Sequence, residues 1–119
     1  MSDARQGDRS EWIPCRYFAF WDVPRSLVVR HQGRSLLLDS QFDDELDDYS
    51  PEYRVRLLDS VSPEEFDALS WSELENRVIE ELSNLSIAEV AFDRERFRQG
   101  GNAYARMRFR SDPIRQRNV

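Results

Sequence analysis

The sequence predicts an α+β fold: a curved antiparallel sheet of about five or six strands, with two short helices on one face. Three observations carry this expectation. Residues 17–39 hold the densest run of strand-forming side chains, arranged about a Gln32-Gly33 turn signal. Residues 52–58 and 104–110 alternate apolar with charged side chains, as half-covered strands do. Residues 62–82 lie between them and carry two helix-start signatures.

In chain order, residues 1–11 lack apolar periodicity and are expected to be a flexible tail. Residues 15–21 read as a central strand, with Tyr17, Ala19 and Trp21 on one face and Phe18 and Phe20 on the other. Asp22-Val23-Pro24-Arg25 predicts a corner, because proline fixes its own φ and pushes Val23 toward extended geometry. The strand resumes at Leu27-Val28-Val29. It turns at His31-Gln32-Gly33-Arg34, where Gly33 is free to take positive φ, and returns through Leu36-Leu37-Leu38. Residues 42–49, FDDELDDY, are expected to form a loop, since five mutually repelling carboxylates oppose a strand or a stable helix. In the next strand Tyr53, Val55 and Leu57 face inward, and Arg54 and Arg56 face out.

Ser62-Pro63-Glu64-Glu65 combines an N-cap serine, a proline at the first helical position and a capping box, and sends Phe66 and Leu69 inward. A second helix is expected to start at Ser72, with Glu75 three residues on. It would carry Leu74, Val78, Ile79 and Leu82 inward and stop at Asn84. Residues 87–92 predict a short strand and Gly100-Gly101 a turn. The last strand places Ala105, Met107 and Phe109 on one side and Arg106, Arg108 and Arg110 on the other. Pro113 ends it, and residues 114–119 form a second tail. No repeat or linker divides the chain, so residues 1–119 are expected to be a single domain, long enough for one modest core.

Composition narrows the class. Cys15 is the single cysteine, so no intramolecular disulfide can form. No apolar run nears the roughly 18 residues that span a bilayer, and the polar first residues are unlike a signal peptide. A soluble, cytoplasmic protein is expected. All seventeen basic residues are arginine, whose planar guanidinium pairs with carboxylates and phosphates and stacks on rings. Charge is segregated along the chain. Residues 1–41 carry six arginines against five acids (+1), residues 42–93 three against sixteen (−13), and residues 94–119 eight against two (+6), for the net −6.

Little in the sequence points to catalysis. His31 is the only histidine and flanks a turn, and no feature marks Cys15 as activated. One histidine and one cysteine cannot make a zinc site of nitrogen and sulfur ligands, and Gly100-Gly101 lacks the spacing and lysine of a phosphate loop. No catalytic residue, cofactor or metal site is predicted. The acidic run could hold a hard cation. Yet the sixth position counted from Asp43 is Asp48 rather than glycine, and the twelfth is Arg54 rather than glutamate, so it is no EF-hand. Solvation, or pairing of Arg106, Arg108 and Arg110 with the chain's own acids, would account for both charged stretches without any ligand.

The segment YFAFWDVPRSLVVRHQGRSLLLDSQFDDELDDYSPEYRVRLL resembles a family of small uncharacterised bacterial proteins with an aromatic strand, an Asp-x-Pro corner and a short hairpin, followed by a strand and helices. The resemblance runs from residue 17 to about residue 80 and is carried by Tyr17, Asp22, Pro24 and Gly33. It implies a fold and brings no catalytic residues.

The functional expectation is a non-catalytic protein-binding module. Phe42, Asp43, Asp44, Glu45, Asp47, Asp48 and Tyr49 would face a basic protein partner, as in immunity proteins, antitoxins and inhibitors of similar charge and size. The alternative is a nucleic-acid-binding accessory protein that uses Arg106, Arg108 and Arg110 on phosphates, although Met107 and Phe109 fall on the opposite face from those arginines and supply no base-stacking rings. A carboxylate-metal hydrolase is a third possibility.

Overall fold

The computed structural model describes residues 12–108. The expected tails, together with Phe109, Arg110, Pro113, Arg115 and Arg117, lie outside the described residues. Ten strands and two α-helices follow in order: β1 (Ile13–Trp21), β2 (Val23–His31), β3 (Arg34–Asp39), β4 (Phe42–Asp43), β5 (Asp48–Tyr49), β6 (Glu52–Leu58), α1 (Pro63–Ala68), α2 (Trp71–Glu75), β7 (Val78–Glu81), β8 (Leu85–Ser86), β9 (Val90–Phe92) and β10 (Asn102–Met107). Eight strands make one antiparallel sheet, ordered β7-β6-β3-β2-β1-β10-β9 with β8 also on β6, more than the five or six expected. β4 and β5 pair separately.

The chain reverses at Asp22 rather than bending there. Asp22 takes φ 69, Trp21 stands opposite Val23, and the expected corner is a tight hairpin between β1 and β2. Aspartate tolerates this left-handed backbone better than most side chains. Pro24 is buried near the start of β2, where a strand can accommodate a missing N–H. The register of β1 slips between Tyr17 and Ala19 and again before Phe20. Such a bulge breaks strict alternation. The rings of Tyr17 and Phe20 therefore meet at 5.6 Å instead of facing apart, while Phe18 packs on Trp71 at 5.4 Å. The next hairpin is as expected. His31 pairs with Arg34, and Gln32 (φ 53) and Gly33 (φ 77) both take positive φ, as a two-residue hairpin turn requires.

Both faces of the sheet are covered, which explains the unbroken apolar runs at 27–29 and 36–38. One face gathers Leu27, Val29, Leu36, Leu38, Tyr53, Val55, Leu57, Ala105 and Met107. The other packs Val28, Leu37 and Leu58 against Phe66 and Leu74 of the helices. The chain from β8 to β9 lies over the first face. β8 pairs with Glu52 and Tyr53, a 3-10 turn follows at Ile87–Glu89, and β9 pairs with β10. In a flat sheet β6 and β10 would stand four strand spacings, about 19 Å, apart. The four steps from Ser86 to Val90 reach at most about 14 Å. The sheet must therefore curl around its first core, and Leu85, Ile87, Val90 and Phe92 cover the opening.

The helices follow the capping chemistry. Ser62 and Glu65 close a full capping box on α1, and Phe66 is buried. Arg16 donates from Nε to the Phe66 carbonyl at 2.8 Å and from Nη2 to the Leu69 carbonyl, satisfying acceptors at the helix C-terminus. The second helix is shorter and earlier than expected. Ser70, not Ser72, caps it, with Glu73 in the box, and Asn76 ends it rather than Asn84. Val78 and Ile79 belong to strand β7, with Arg56 opposite Glu81. β-Branched residues and the open edge of β6 favour a strand here, where so short a helix gains little from its own hydrogen bonds. Arg56, expected to face out, is buried under α2. The acidic stretch 42–49 is a miniature hairpin instead of an unpaired loop, because Phe42 and Tyr49 pair edge-to-face at 5.4 Å.

Gly101 closes tightly on β1. It takes φ +89, and a Cβ there would stand 2.2 Å from the Tyr17 carbonyl oxygen. Gly33 has φ +77 but open space around it. Gly33→Ala is expected to cost only the left-handed strain, about 1 kcal/mol. Gly101→Ala adds a backbone clash and should cost at least about 3 kcal/mol. Urea unfolding of the two variants checks the ranking; equal losses would contradict the close approach.

Candidate functional site

The end of the sheet that holds the β1–β2 turn also carries the acidic hairpin. Its neck is built from β3, β2 and the turns. Ser40 N–H donates to the Arg25 carbonyl at 2.7 Å, Ser50 N–H to the Gln41 carbonyl at 2.8 Å, and the Ser40 hydroxyl to the Ser50 carbonyl at 2.7 Å. Arg25 organises this neck. Its Nε donates to the Trp21 carbonyl at 2.9 Å, its Nη1 reaches the Ser40 hydroxyl, and its guanidinium lies over the Tyr49 ring at 4.5 Å. Arg25 thereby joins the β1–β2 turn to the hairpin.

At the tip, Asp47 takes φ 53 and its N–H donates to the Asp44 carbonyl. Asp43 accepts from Glu45 N–H at 2.9 Å, and Asp48 accepts from Tyr49 N–H at 2.7 Å. Local turn bonds thus hold the two carboxylates that face each other across the ladder. Asp44, Glu45, Asp47 and Asp48 are exposed, and Asp43 and Tyr49 are half-buried. Among the described residues none of the five carboxylates forms an ion pair. The expected group, Phe42 to Tyr49, is therefore together in space.

Phe42, one of the expected contact residues, is 51% exposed. Sequence reasoning missed Leu46, 58% exposed, and Trp21, 62% exposed at the turn that Arg25 ties to the hairpin. Trp21 precedes the turn at Asp22, Leu46 lies within the acidic run, and Phe20, 44% exposed, packs its ring on Tyr17 and Phe97 instead. Leu46 was visible as a lone apolar residue among carboxylates. Trp21 could be placed here only once the hairpin at Asp22 was known. A cleft of about 290 Å³ opens at the base of the hairpin, lined among others by Phe42, Tyr49, Arg54, Trp71 and Glu75. Its floor is an ion network centred on the buried Asp39, with Arg54 and Glu75 partly exposed. Arg54 forks onto Asp39 (3.2 and 3.1 Å), and Arg56 Nη2 bridges Asp39 and Glu75 at 3.2 Å to each.

The C-terminal arginines lie elsewhere. Arg106 is half-buried with its guanidinium 4.7 Å from the centre of the Trp12 ring, and Arg108 is exposed. Arg110 lies outside the described residues. Tyr104 shares the Arg106 face of β10 and carries Arg96 over its ring at 4.0 Å. Trp12 and Tyr104 thus place aromatic rings beside the arginines, which Met107, buried on the opposite face, does not. Arg96 pairs with Asp93 and holds that carboxyl below its usual range. Arg94 donates to the Asp22 carbonyl. Among the described residues no ion pair joins Arg106 or Arg108 to the acidic hairpin.

Among the described residues no three His, Cys, Asp or Glu side chains group to hold a metal ion. No described helix is long and apolar enough to cross a membrane. Cys15 is buried between β2 and β10, and loss of solvent pushes its thiol up to about 12. At neutral pH it is therefore a protonated core side chain and a poor nucleophile. A disulfide reagent at pH 8 should leave native protein unmodified and titrate one thiol per chain in denaturant. Rapid reaction of the native protein would overturn this placement.

Searches of protein-family models, curated proteins and solved structures found no match to this chain.

Proposed function

We propose that this protein is a non-catalytic binding module whose acidic hairpin end docks a basic protein partner. One observation carries the reading. Five carboxylates without ion pairs among the described residues rim the exposed side chains of Phe42 and Leu46, with Trp21 on the adjoining turn. Exposed apolar groups of this size on a small fold mark contact surfaces. An acidic rim speeds encounter with a basic partner and rejects acidic ones, while the apolar centre slows release. The neck at Arg25 holds the hairpin in a set orientation, which limits the ordering cost of binding. Immunity proteins and inhibitors of nucleic-acid enzymes, which face basic surfaces, are the functional class closest to this design.

A partner is recovered by retention on the tagged chain at low salt and release at high salt, with nuclease present, and its binding kinetics are then measured. Replacing Asp43, Asp44, Asp47 and Asp48 together with asparagine should slow association at least about tenfold at low salt. The asparagine oxygens can still accept the turn bonds, so the fold should persist. Leu46→Ser should act mainly on dissociation. Unchanged kinetics in both variants would sink the proposal.

The arrangement of β10 favours a second reading, a single-stranded nucleic-acid surface. Arg106 and Tyr104 share one face, beside Trp12, and arginine with aromatic rings is the combination that binds phosphate and base together. Arg106→Ala with Arg108→Ala should lower both affinity for single-stranded RNA and the slope of log affinity against log salt, by about 0.7 per lost contact. No retention of RNA at low salt by the unaltered protein would reject this reading.

A further inference from the structure

The opposite end of the sheet, at the β2–β3 turn, holds a cavity of about 360 Å³ between that turn and the loop that leads into α1. Arg30, Arg34 and Ser35 line it from the sheet, and Ser60, Val61 and Ser62 from the loop. Arg30 and Ser35 are partners across β2 and β3. They continue the rows of Val28 and Leu37, so both belong to the face under the helices. Ser35 is only 2% exposed, and its hydroxyl has no partner among the described residues. A hydroxyl so placed costs free energy unless something in the cavity bonds it.

Two arginines beside that hydroxyl offer donors to an anion. The Arg30 guanidinium is held by one bond, Nη1 to the Val61 carbonyl at 3.2 Å, and by the Phe66 ring at 5.8 Å. Its other donors meet no described carboxylate, and no ion pair engages Arg34 among the described residues. Two acids also reach the cavity wall, and one of them, Glu65, is ion-paired. Arg77 pairs with Glu65 at 2.6 Å, Ser62 N–H adds a second bond, and together they hold that carboxyl below its usual range. Asp59 accepts from Ser60 N–H at 2.8 Å. Two arginines without ion pairs among the described residues line the cavity, with the Ser35 hydroxyl buried in its wall and the Asp59 carboxylate at its exposed rim.

We propose that this cavity binds a small molecule through an oxyanion head, phosphoryl or carboxylate. Ser35 would donate its hydroxyl, and Arg30 and Arg34 would supply forked N–H groups. The site is independent of the acidic hairpin, which lies at the other end of the sheet.

Calorimetric titration of the full chain at constant ionic strength, once with inorganic phosphate and once with acetate, tests it. Saturable binding of either at about 1 mM or tighter is expected, and the anion that binds identifies the head group. Ser35→Ala should lose about tenfold in that affinity, yet melt at the same or a higher temperature without ligand, because an unmet hydroxyl has been removed. Arg34→Gln should weaken binding without altering the core. The asparagine variant of the acidic hairpin should bind the anion normally, so failure here is separable from failure there. No saturable response to either anion overturns the proposal. So does binding unchanged in both variants, or a lower melting temperature for unliganded Ser35→Ala.

Discussion

One carboxylate fixes where the elements at the acidic end can lie. Asp39 is the last residue of β3 and stands opposite Arg54 in β6. It is nearly removed from solvent, so its charge must be met within the fold. Arg54 meets it with a two-pronged fork and Arg56 with a third bond. Arg56 is shared with Glu75, and so ties α2 to the same point. A hydrophobic substitute could match the stability of such a network. It could not impose the same register. A slip of one residue between β3 and β6 would strand Asp39 among leucines. With the register set, Ser40 follows at the hairpin neck, and Trp71 and Glu75 take their places on the cleft.

The covered second face has a consequence for how the sequence is read. Strict alternation predicts Arg54 and Arg56 outward, which suits a sheet with one wet face. Here the helices lie over that face, and arginine serves as a buried hydrogen-bond donor beneath them. Arg16 does the same for the last carbonyls of α1, and Arg30 for Val61. Tyr53 performs the matching task in the other core, where its buried hydroxyl donates to the Pro24 carbonyl at 2.6 Å. An arginine-only basic complement is well suited to this, because its donors are planar and forked.

What was legible in the sequence is what local chemistry decides. The Gln32-Gly33 turn, the Ser62 capping box and the alternation in β6 and β10 each depend on neighbours a few residues away. What was hidden is decided across the sheet. The bulge at Tyr17–Phe20 is a register effect between β1 and β2, and it alone places Phe20 with Tyr17 and Phe97. Val78 and Ile79 have helical spacing from Leu74, and only the vacant edge of β6 makes them a strand. The candidate site divides the same way. Phe42 to Tyr49 stood out by composition, whereas Trp21 and Arg25 join them through a chain reversal that Asp-Val-Pro did not reveal as one.

The fold keeps the acidic hairpin apart from Arg106, although Arg94 reaches the β1–β2 turn and Asp59 and Glu65 reach the β2–β3 turn. β1 runs from Ile13, beside the Trp12–Arg106 stack, to Trp21, beside the acidic hairpin. Nine strand residues extend about 30 Å. The β2–β3 turn, with Arg30 and Arg34, lies at the Trp12 end because β2 runs antiparallel to β1. At physiological salt, fields decay over about 8 Å. A molecule approaching either end therefore meets that end's charge and little of the other. The formal net charge of −6 describes neither encounter: the hairpin concentrates five carboxylates in six positions, whereas the β2–β3 turn presents Arg30 and Arg34 beside Asp59 and Glu65. An acidic protein can on this ground carry an arginine-rich surface that receives anions, provided the two are a sheet's length apart.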